Sequence, residues 1–278
     1  MKRKLHLWAF LFFAIVIGVH ANALTVEVGK EKRLSDCLNG QSGVTELVIS
    51  GEMTAADFDF LKTLTLLVRI DMSKAVLHAE LERKIPVKIF EENKVIEVIK
   101  LPRNTREIPS GSFAKMDNLQ EIVLPDSVRN IEQSAFNECT KLAKINFPKT
   151  LEIIGSAAFY KCESLTTIHL SRKIKEIRNY AFNCCSNLTS VRIDGNIKRL
   201  GEHAFSQCPH LQEVLLNGVV ALVGKLAFKD DTSLMLIRSA NASPKAAEAQ
   251  AFYGVPTSCI VQIPLLSTKR YKNLYGWK

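Results

Sequence analysis

The chain has 278 residues, of which 37 are Lys or Arg and 28 are Asp or Glu, so its formal net charge is +9 at pH 7. Without Lys2, Arg3 and Lys4, 34 basic residues face 28 acidic ones, which leaves a modest net charge of +6. The sequence shows no low-complexity linker, second domain or C-terminal sorting tail, so we expect one folded domain after residue 23.

Residues 1–23 have the features of an export signal. The three basic residues precede an apolar run from Leu7 to Val19, and Ala21-Asn22-Ala23 forms a small-x-small cleavage site. This run of 13 residues is too short for a transmembrane helix, which needs about 20. Leu24 rather than Cys follows the site, so lipid anchoring is not indicated. We predict cleavage after Ala23 and an exported product, periplasmic or at the cell surface, without stable membrane insertion; a retained anchor is the alternative.

Residues 24–66 are predicted to form an N-terminal cap. Leu47-Val48-Ile49 has the character of a strand, and the apolar residues between Phe58 and Leu66 predict a short helix that leads into a strand. A repeat pattern begins at residue 67. Its first strand lies 29 residues before the next one at Ile99, so the first full repeat carries an insertion.

Residues 67–250 carry a repeat with a period of 23 residues. Phe recurs without slippage in six copies, and columns of Leu, of Ile or Val, and of Cys keep the same interval. A fixed period of this length indicates supersecondary units that bury their apolar faces only against their neighbours. The Phe and Cys columns are Phe113, Phe136, Phe159, Phe182, Phe205 and Phe228, and Cys139, Cys162, Cys185 and Cys208.

One copy shows the expected shape of a repeat. Ile122 and Leu124 alternate with less apolar neighbours, as in a short strand with one buried side, and Pro125 removes a backbone donor and ends it. The spacing of the apolar residues from Ala135 to Leu142 suits a short helical or 3₁₀ turn. We expect neighbouring strands to form a continuous parallel sheet at about 4.8 Å spacing.

Residues 251–278 are predicted to be a C-terminal capping repeat. Ala251-Phe252 follows Ala227-Phe228 by 24 residues instead of 23, so one residue is inserted. The segment continues with Cys259 to Pro264, Tyr271 and Gly276-Trp277. Terminal repeats are usually atypical, because one of their faces meets water instead of another repeat.

The spacing Leu-x-x-Ile-x-Leu, followed by Ala-Phe-x-x-Cys-x-x-Leu, resembles the BspA-like class of leucine-rich repeats from bacterial surface and secreted proteins. The resemblance runs from Val44 to the C-terminus, and both ends resemble the opening and closing repeats of that class. It implies an α/β solenoid, right-handed and curved, with a parallel sheet on one face and short helical or irregular turns on the other. Classical leucine-rich repeats carry Asn at one turn position, where the asparagines form a ladder. In this sequence no such ladder can form, because the equivalent residues are Ser127, Thr150, Lys173, Asn196 and Val219.

The seven cysteines allow two interpretations. They could form disulfides or ligate a metal ion, or they could be free thiols that fill a small apolar slot. Met116 and Asp231 occupy the same column, so the slot does not require a bonded cysteine, and no C-x-x-C spacing occurs. We favour buried free thiols and predict no metal site, with Cys184 as the thiol to check for reactivity.

Motifs for catalysis are absent from the sequence. It contains no glycine-rich phosphate loop, no H-E-x-x-H and no paired-carboxylate motif. The histidines after the signal show no triad-like arrangement, and spacing alone cannot establish one. We therefore predict a protein that is not an enzyme and binds no cofactor. A secreted hydrolase that acts through His169 and nearby polar groups is the alternative.

The outward strand positions are the best candidates for binding, because the extended sheet of a solenoid is its usual binding surface. Their mixed chemistry is also what an ordinary solvated face has, and the sequence does not separate the two interpretations. The candidate face comprises Lys144, Asn146, Thr167, His169, Ser190, Arg192 and Arg238.

The edge beside this face is basic. A basic patch suits nucleic acid, but export and the lack of aromatic residues on this edge argue against such a partner. We expect a charged, solvated flank and no nucleic acid. The residues of the edge are Lys149, Arg172, Lys173, Lys175, Lys198 and Arg199.

These observations favour a non-enzymatic module that binds an extracellular protein or glycan in adhesion or envelope interactions. The resemblance implies the same, since proteins of the BspA-like class are often adhesins or surface interaction proteins. A structural component of the cell envelope is the second alternative.

Overall fold

The computed structural model describes residues 23–242, 247–248 and 250–272. Residues 1–22 of the predicted export signal and Gly276-Trp277 of the predicted closing repeat lie outside the described residues. Ala23, after which cleavage is predicted, is the first residue of the first strand.

The described chain is built from short strands. Its helices are α1 (Leu34–Leu38), α2 (Ala55–Leu61), a 3₁₀ turn (Ala79–Leu81) and α3 (Thr268–Lys272). The strands are β1 (Ala23–Val28), β2 (Glu46–Met53), β3 (Arg69–Leu77), β4 (Val98–Lys100), β5 (Glu107–Ile108), β6 (Glu121–Val123), β7 (Asn130–Ile131), β8 (Lys144–Ile145), β9 (Ile153–Ile154), β10 (Thr167–Leu170), β11 (Glu176–Ile177), β12 (Ser190–Ile193), β13 (Glu213–Leu216), β14 (Leu236–Ser239) and β15 (Ile260–Gln262).

The strands form three parallel sheets, so the predicted parallel-sheet solenoid is confirmed. On one face, a six-stranded sheet in the order β1-β2-β3-β4-β6-β8 precedes a five-stranded sheet in the order β10-β12-β13-β14-β15. A four-stranded sheet, β5-β7-β9-β11, is formed by the second strand of each coil. Residues 23 apart therefore face each other on adjacent coils, as Ile168 and Val191 do.

The spacing of the coils departs from 23 at the two predicted places. Ile70 pairs with Ile99, which confirms the longer interval of 29 residues, and Leu236 pairs with Ile260 at an interval of 24. The interval of 23 also runs back to Ala23, which pairs with Glu46, so β1 and β2 inside the predicted N-terminal cap follow the spacing of the repeats.

The Phe column forms the centre of the core. All six members of the predicted column are 0% exposed. Phe159 and Phe182 are parallel, with ring centroids 5.0 Å apart. Phe90 and Phe252 extend the column at its two ends, at 5.8 and 5.5 Å from their neighbours. Each coil therefore buries its ring between two others, so no coil can fold alone.

The turn that follows each second strand is irregular, which is one of the two forms that the resemblance implied, and is not the short helical or 3₁₀ turn that the spacing of residues 135–142 suited. Between residues 82 and 259 the described chain contains no helix. Two residues per coil, such as Ser134 and Glu138, adopt left-handed conformations with φ of +54° and +59°. These conformations turn the amides toward the next coil, and Phe136 N–H donates to Ala158 O at 2.8 Å. The backbone donors are thus satisfied between coils rather than within a helix.

The prediction of a continuous sheet is wrong at one place. The face that carries the six- and five-stranded sheets is interrupted between β8 and β10. Phe147 stands where Leu124 and Leu170 stand in adjacent coils, and its larger ring packs edge-on against Phe159 at 5.6 Å. Asn146 uses its side-chain amide instead of its backbone to bond Leu124. At this place β8 has two residues and does not pair with β10.

The Cys column fills the predicted slot with free, buried thiols. Each thiol donates to the carbonyl of a Phe on the preceding coil, as Cys139 does to Phe113 O at 3.0 Å. Asp231 occupies the slot in the next coil and accepts a hydrogen bond from Cys208 N–H at 2.9 Å. Its other oxygen, Oδ2, has no partner among the described residues.

Candidate functional site

The candidate face lies mainly on the outer side of the five-stranded sheet. Thr167 and Ser190 are neighbours on β10 and β12, and His169 and Arg192 are neighbours in the next row. That row continues through Leu215 of β13 to Arg238 of β14. The register of parallel strands therefore brings together five of the seven predicted residues, and the remaining two, Lys144 and Asn146, lie across the sheet break.

Asp194 connects the centre of this face. His169 Nε2 lies 2.9 Å from Asp194 Oδ2, and Arg192 Nε donates to Asp194 Oδ1 at 2.9 Å. Asn217 Nδ2 also donates to Oδ1, at 2.8 Å. The Asp194 side chain is 17% exposed, whereas the His169 side chain is 62% exposed. Asp194 thus forms the floor of a polar cluster whose imidazole and guanidinium groups face solvent.

The charge of Asp194 is stabilised by its donors. Partial burial of the carboxylate opposes ionisation, but the hydrogen bonds from Arg192, His169 and Asn217 outweigh it and hold the pKa of Asp194 well below its usual range. An ionised Asp194 keeps its neighbours in fixed positions. The cluster is therefore preorganised before any partner arrives.

A groove of about 360 Å³ opens on the same face at the sheet break. Its lining includes Ile122 and Leu165, which are almost fully buried, and the more exposed Lys144 and Thr167. Lys144 Nζ lies 3.8 Å from Glu121, and both side chains border the groove. Because β10 has no strand partner on this side, the groove lies beside the free edge of that strand.

Two predicted site residues have structural contacts that the sequence did not reveal. The side chain of Asn146 is engaged by the backbone of Leu124 through both amide atoms. Arg238 Nε donates to Gln262 Oε1 at 2.9 Å, which fixes its position on the last strand pair. Arg238 remains exposed and available to a partner, whereas Asn146 has its hydrogen-bonding groups occupied.

The sequence interpretation missed Asp194 and Asn217. It considered alternate positions within each strand, and both residues lie just beyond a strand end. The repeat could have pointed to Asp194. Pro125 and Pro148 occupy one position of the 23-residue period, and Asp194 occupies the same position three copies after Pro125. A charged residue in place of Pro at the end of one strand marks the coil where the face is specialised.

The pair of His169 and Asp194 resembles two members of a catalytic triad without the third. In the described part of the chain the imidazole hydrogen-bonds only to Asp194. The nearby Ser171 hydroxyl donates to Lys149 O at 2.8 Å instead. A nucleophile held by the base is what triad chemistry needs.

Metal-binding and membrane-spanning features were also sought in the described part of the chain. Within it, no group of three His, Cys, Asp or Glu side chains could hold a metal ion. None of the helices described there has the length and apolar character needed to cross a bilayer.

Comparison with known proteins decides the family. The model of a BspA type leucine rich repeat region with 6 copies matches residues 83–212 and 131–259, which is more than half of the chain. The chain belongs to the BspA-type leucine-rich repeat family. No curated protein matches the sequence at a significant level.

Several solved structures are similar to this member of the BspA-type family. The leucine rich repeat protein of T. pallidum is 28% identical, with a TM-score of 0.50, over 70% of this chain and 78% of that one. A leucine-rich repeat protein from Bacteroides ovatus is 18% identical, with a TM-score of 0.33, over 86% of this chain and 83% of that one. A leucine rich cell surface protein from Faecalibacterium prausnitzii is 16% identical, with a TM-score of 0.35, over 90% and 85%.

Proposed function

We propose that this protein is an exported, non-enzymatic binding module that holds a protein or glycan partner outside the cytoplasm. The partner lies on the outer side of the five-stranded sheet, over the cluster of His169, Arg192 and Asp194, with Thr167, Ser190 and Arg238 around it. Its family supports a scaffold of this kind, since leucine-rich repeats present an extended sheet to ligands.

The observation that carries this proposal is the fixed geometry of the Asp194 cluster. Arg192 and His169 are exposed, yet both are held by the same carboxylate. Exposed polar side chains normally lose rotamer freedom when they bind, and prior fixation removes part of that cost. Arg is also enriched among residues that dominate binding energy. The adjacent groove, which is lined by Lys144 and Thr167, adds polar groups that a partner can contact.

The test compares two double variants on an array of extracellular-matrix proteins and cell-surface glycans. His169→Ala with Arg192→Ala removes the exposed cluster. Lys141→Ala with His210→Ala is the matched control, because it removes one basic residue and one histidine that each make one hydrogen bond elsewhere. We expect the first variant to lose array signals that wild type and control retain, while it stays folded with a modestly lower melting temperature, because Asp194 loses two of its hydrogen-bond partners. Equal signals from all three proteins would remove this face from consideration.

The same array separates the alternatives. Turnover of an arrayed glycan or peptide by wild type would favour a secreted hydrolase. Absence of any captured partner, together with retention in the purified envelope, would favour a structural component.

Export is tested by N-terminal sequencing of protein from the outer compartment, where we expect Leu24 as the first residue. A chain that still begins with Lys2-Arg3-Lys4 in the membrane fraction would refute cleavage.

A further inference from the structure

The four-stranded sheet carries a column of charge on its outer side. The residue that precedes its strands, or the equivalent position in the flanking coils, is basic in five of six coils. Adjacent members are joined through their backbones, as Arg106 N–H donates to Arg83 O at 2.7 Å and Arg129 N–H donates to Arg106 O at 2.8 Å. We call this the basic column: Arg83, Arg106, Arg129, Glu152, Lys175 and Lys198.

The charges of the basic column are poorly compensated. Arg129 Nη1 lies 3.4 Å from Glu152, and Lys175 also pairs with Glu152. The hydrogen bond from Lys175 lowers the pKa of Glu152, which stays ionised between them. Among the described residues, the other three members have no carboxylate within ion-pair distance: Arg83, Arg106 and Lys198.

The neighbouring column shows that the fold does not require this excess. One residue further along, Lys84 Nζ lies 3.2 Å from Glu107, and Arg199 Nη2 lies 2.8 Å from Glu248. Like charges directly opposite each other on adjacent strands destabilise a sheet. The basic column thus costs stability at positions where alternating charges would serve the fold equally well, which points to a use outside the fold.

We propose that the basic column binds a linear anionic polysaccharide that lies across the coils, along the axis of the solenoid. Six coils at about 4.8 Å spacing span roughly 24 Å, a length that suits an extended chain rather than a single anion. A groove of about 300 Å³ runs beside the column, and its charged lining comprises Lys84, Arg106 and Arg129 together with Glu82, Glu107 and Glu152. The basic loop residues Arg103, Lys149, Arg172 and Lys173 precede it in three coils.

An anionic polysaccharide fits this surface better than a nucleic acid. Proteins that bind single strands place aromatic side chains where bases can stack. The segments that carry the column and its preceding loops contain no Phe, Tyr or Trp: residues 83–85, 103–109, 126–132, 149–155, 172–178 and 195–201. Arg supplies a planar fork of donors to oxyanions and Lys supplies point charges, and neither needs a base.

This surface differs from the candidate face, so the two proposals fail independently. The test measures binding of the full protein to heparin, with neutral dextran as the uncharged probe. The variant combines Arg106→Gln and Lys198→Gln with Arg83→Asn, because Arg83 has φ of +62°, which Asn tolerates. The control combines Lys30→Gln, Lys141→Gln and Lys269→Gln, which removes equal charge from exposed positions outside the column.

We expect wild type to bind heparin and not dextran, with affinity that falls as salt rises. Each basic side chain near an anionic surface contributes about fivefold, so the triple variant should bind about 100-fold more weakly while the control changes much less. The double variant His169→Ala with Arg192→Ala should bind heparin as wild type does. Equal losses in variant and control would overturn the proposal, as would binding no stronger than to dextran. Tighter binding of an oligo-dT strand of matched charge would replace the polysaccharide with nucleic acid.

Discussion

Asn146 bonds both backbone groups of Leu124 through its side chain. Nδ2 donates to Leu124 O and Oδ1 accepts from Leu124 N–H, each at 2.7 Å. An Asn amide has a donor and an acceptor at about the spacing of a backbone strand, so it can replace one residue of a ladder. In this chain the replacement ends β8 and coincides with the break that opens the groove between β8 and β10.

We therefore predict that Asn146→Ala destabilises the protein although the residue is exposed. The variant leaves the Leu124 N–H and C=O without their partners, and each part-buried group should cost on the order of 1–3 kcal/mol if water does not replace the bond. Urea unfolding measures the loss. Asn187→Ala is the control, because its exposed side chain makes no hydrogen bond among the described residues, and it should change stability by less than about 0.5 kcal/mol. Equal stability of both variants would show that the bond to Leu124 contributes nothing.

Asp231 predicts an unusual dependence of stability on pH. Burial raises the pKa of this carboxyl well above its ordinary value, since the single bond from Cys208 N–H only partly offsets the lost hydration. The folded state then binds more protons than the unfolded state above about pH 4, the usual pKa of Asp. The stabilisation is full below that pH and is lost as pH rises through the folded pKa.

Comparison with Asp231→Asn isolates this effect. We expect the variant to gain stability relative to wild type as pH rises from about 4 toward 8, because Asn has no charge to bury. Asp230→Asn is the control at the neighbouring carboxyl, whose side chain is 41% exposed. Unfolding curves at several pH values give the difference directly. A constant difference between wild type and Asp231→Asn would mean that the carboxyl has the same pKa in the folded and unfolded states.

For Asp194 we predict a pH dependence of stability opposite in sign to that of Asp231. The pKa of Asp194 is depressed by hydrogen bonds that overcome partial burial, so the unfolded state binds more protons where the two states differ. The stabilisation is present above the unfolded pKa of about 4 and is lost as pH falls through the folded pKa.

Asp194→Asn should accordingly be less stable than wild type at pH 7, and the deficit should shrink as pH falls below about 4. The same series of unfolding curves measures it. The variant also tests the proposed function, because it removes the charge that holds Arg192 and His169 and should weaken array capture. Full capture with reduced stability would assign Asp194 a role in folding alone.

The sequence predicted the architecture because the period constrains it strongly. Stacked Phe residues such as Phe159 and Phe182 must be buried by their neighbours, so an unbroken interval of 23 defines the register of every coil. The turns were predicted less well. Apolar spacings of one and three also occur in helices, and the pattern did not show that residues such as Ser134 adopt positive φ to send their amides to the next coil.

The sequence predicted the candidate face only in part, and the reason is physical. Outward alternation within strands identifies exposed positions such as His169 and Arg192, but hydrogen bonds among surface side chains depend on rotamers and on residues beyond the strand ends. Asp194 was missed on that account. The sheet break was missed because Phe147 has the apolar character that its column requires, so nothing in the repeat pattern marks an interruption there.

The stacked rings of the Phe column should carry much of the stability of the solenoid. Phe159→Ala should destabilise the protein by about 3–5 kcal/mol, because it leaves a cavity between two parallel rings in a closely packed core. Phe147 also contacts this ring edge-on, so the loss should spread to the sheet break. Since each coil contacts only its neighbours, hydrogen exchange should accelerate in the two flanking coils more than at either end. Tyr253→Ala, at a ring that is 56% exposed, is the control and should have a small effect. An unchanged melting temperature for Phe159→Ala would show that the Phe column does not carry the stability of the solenoid.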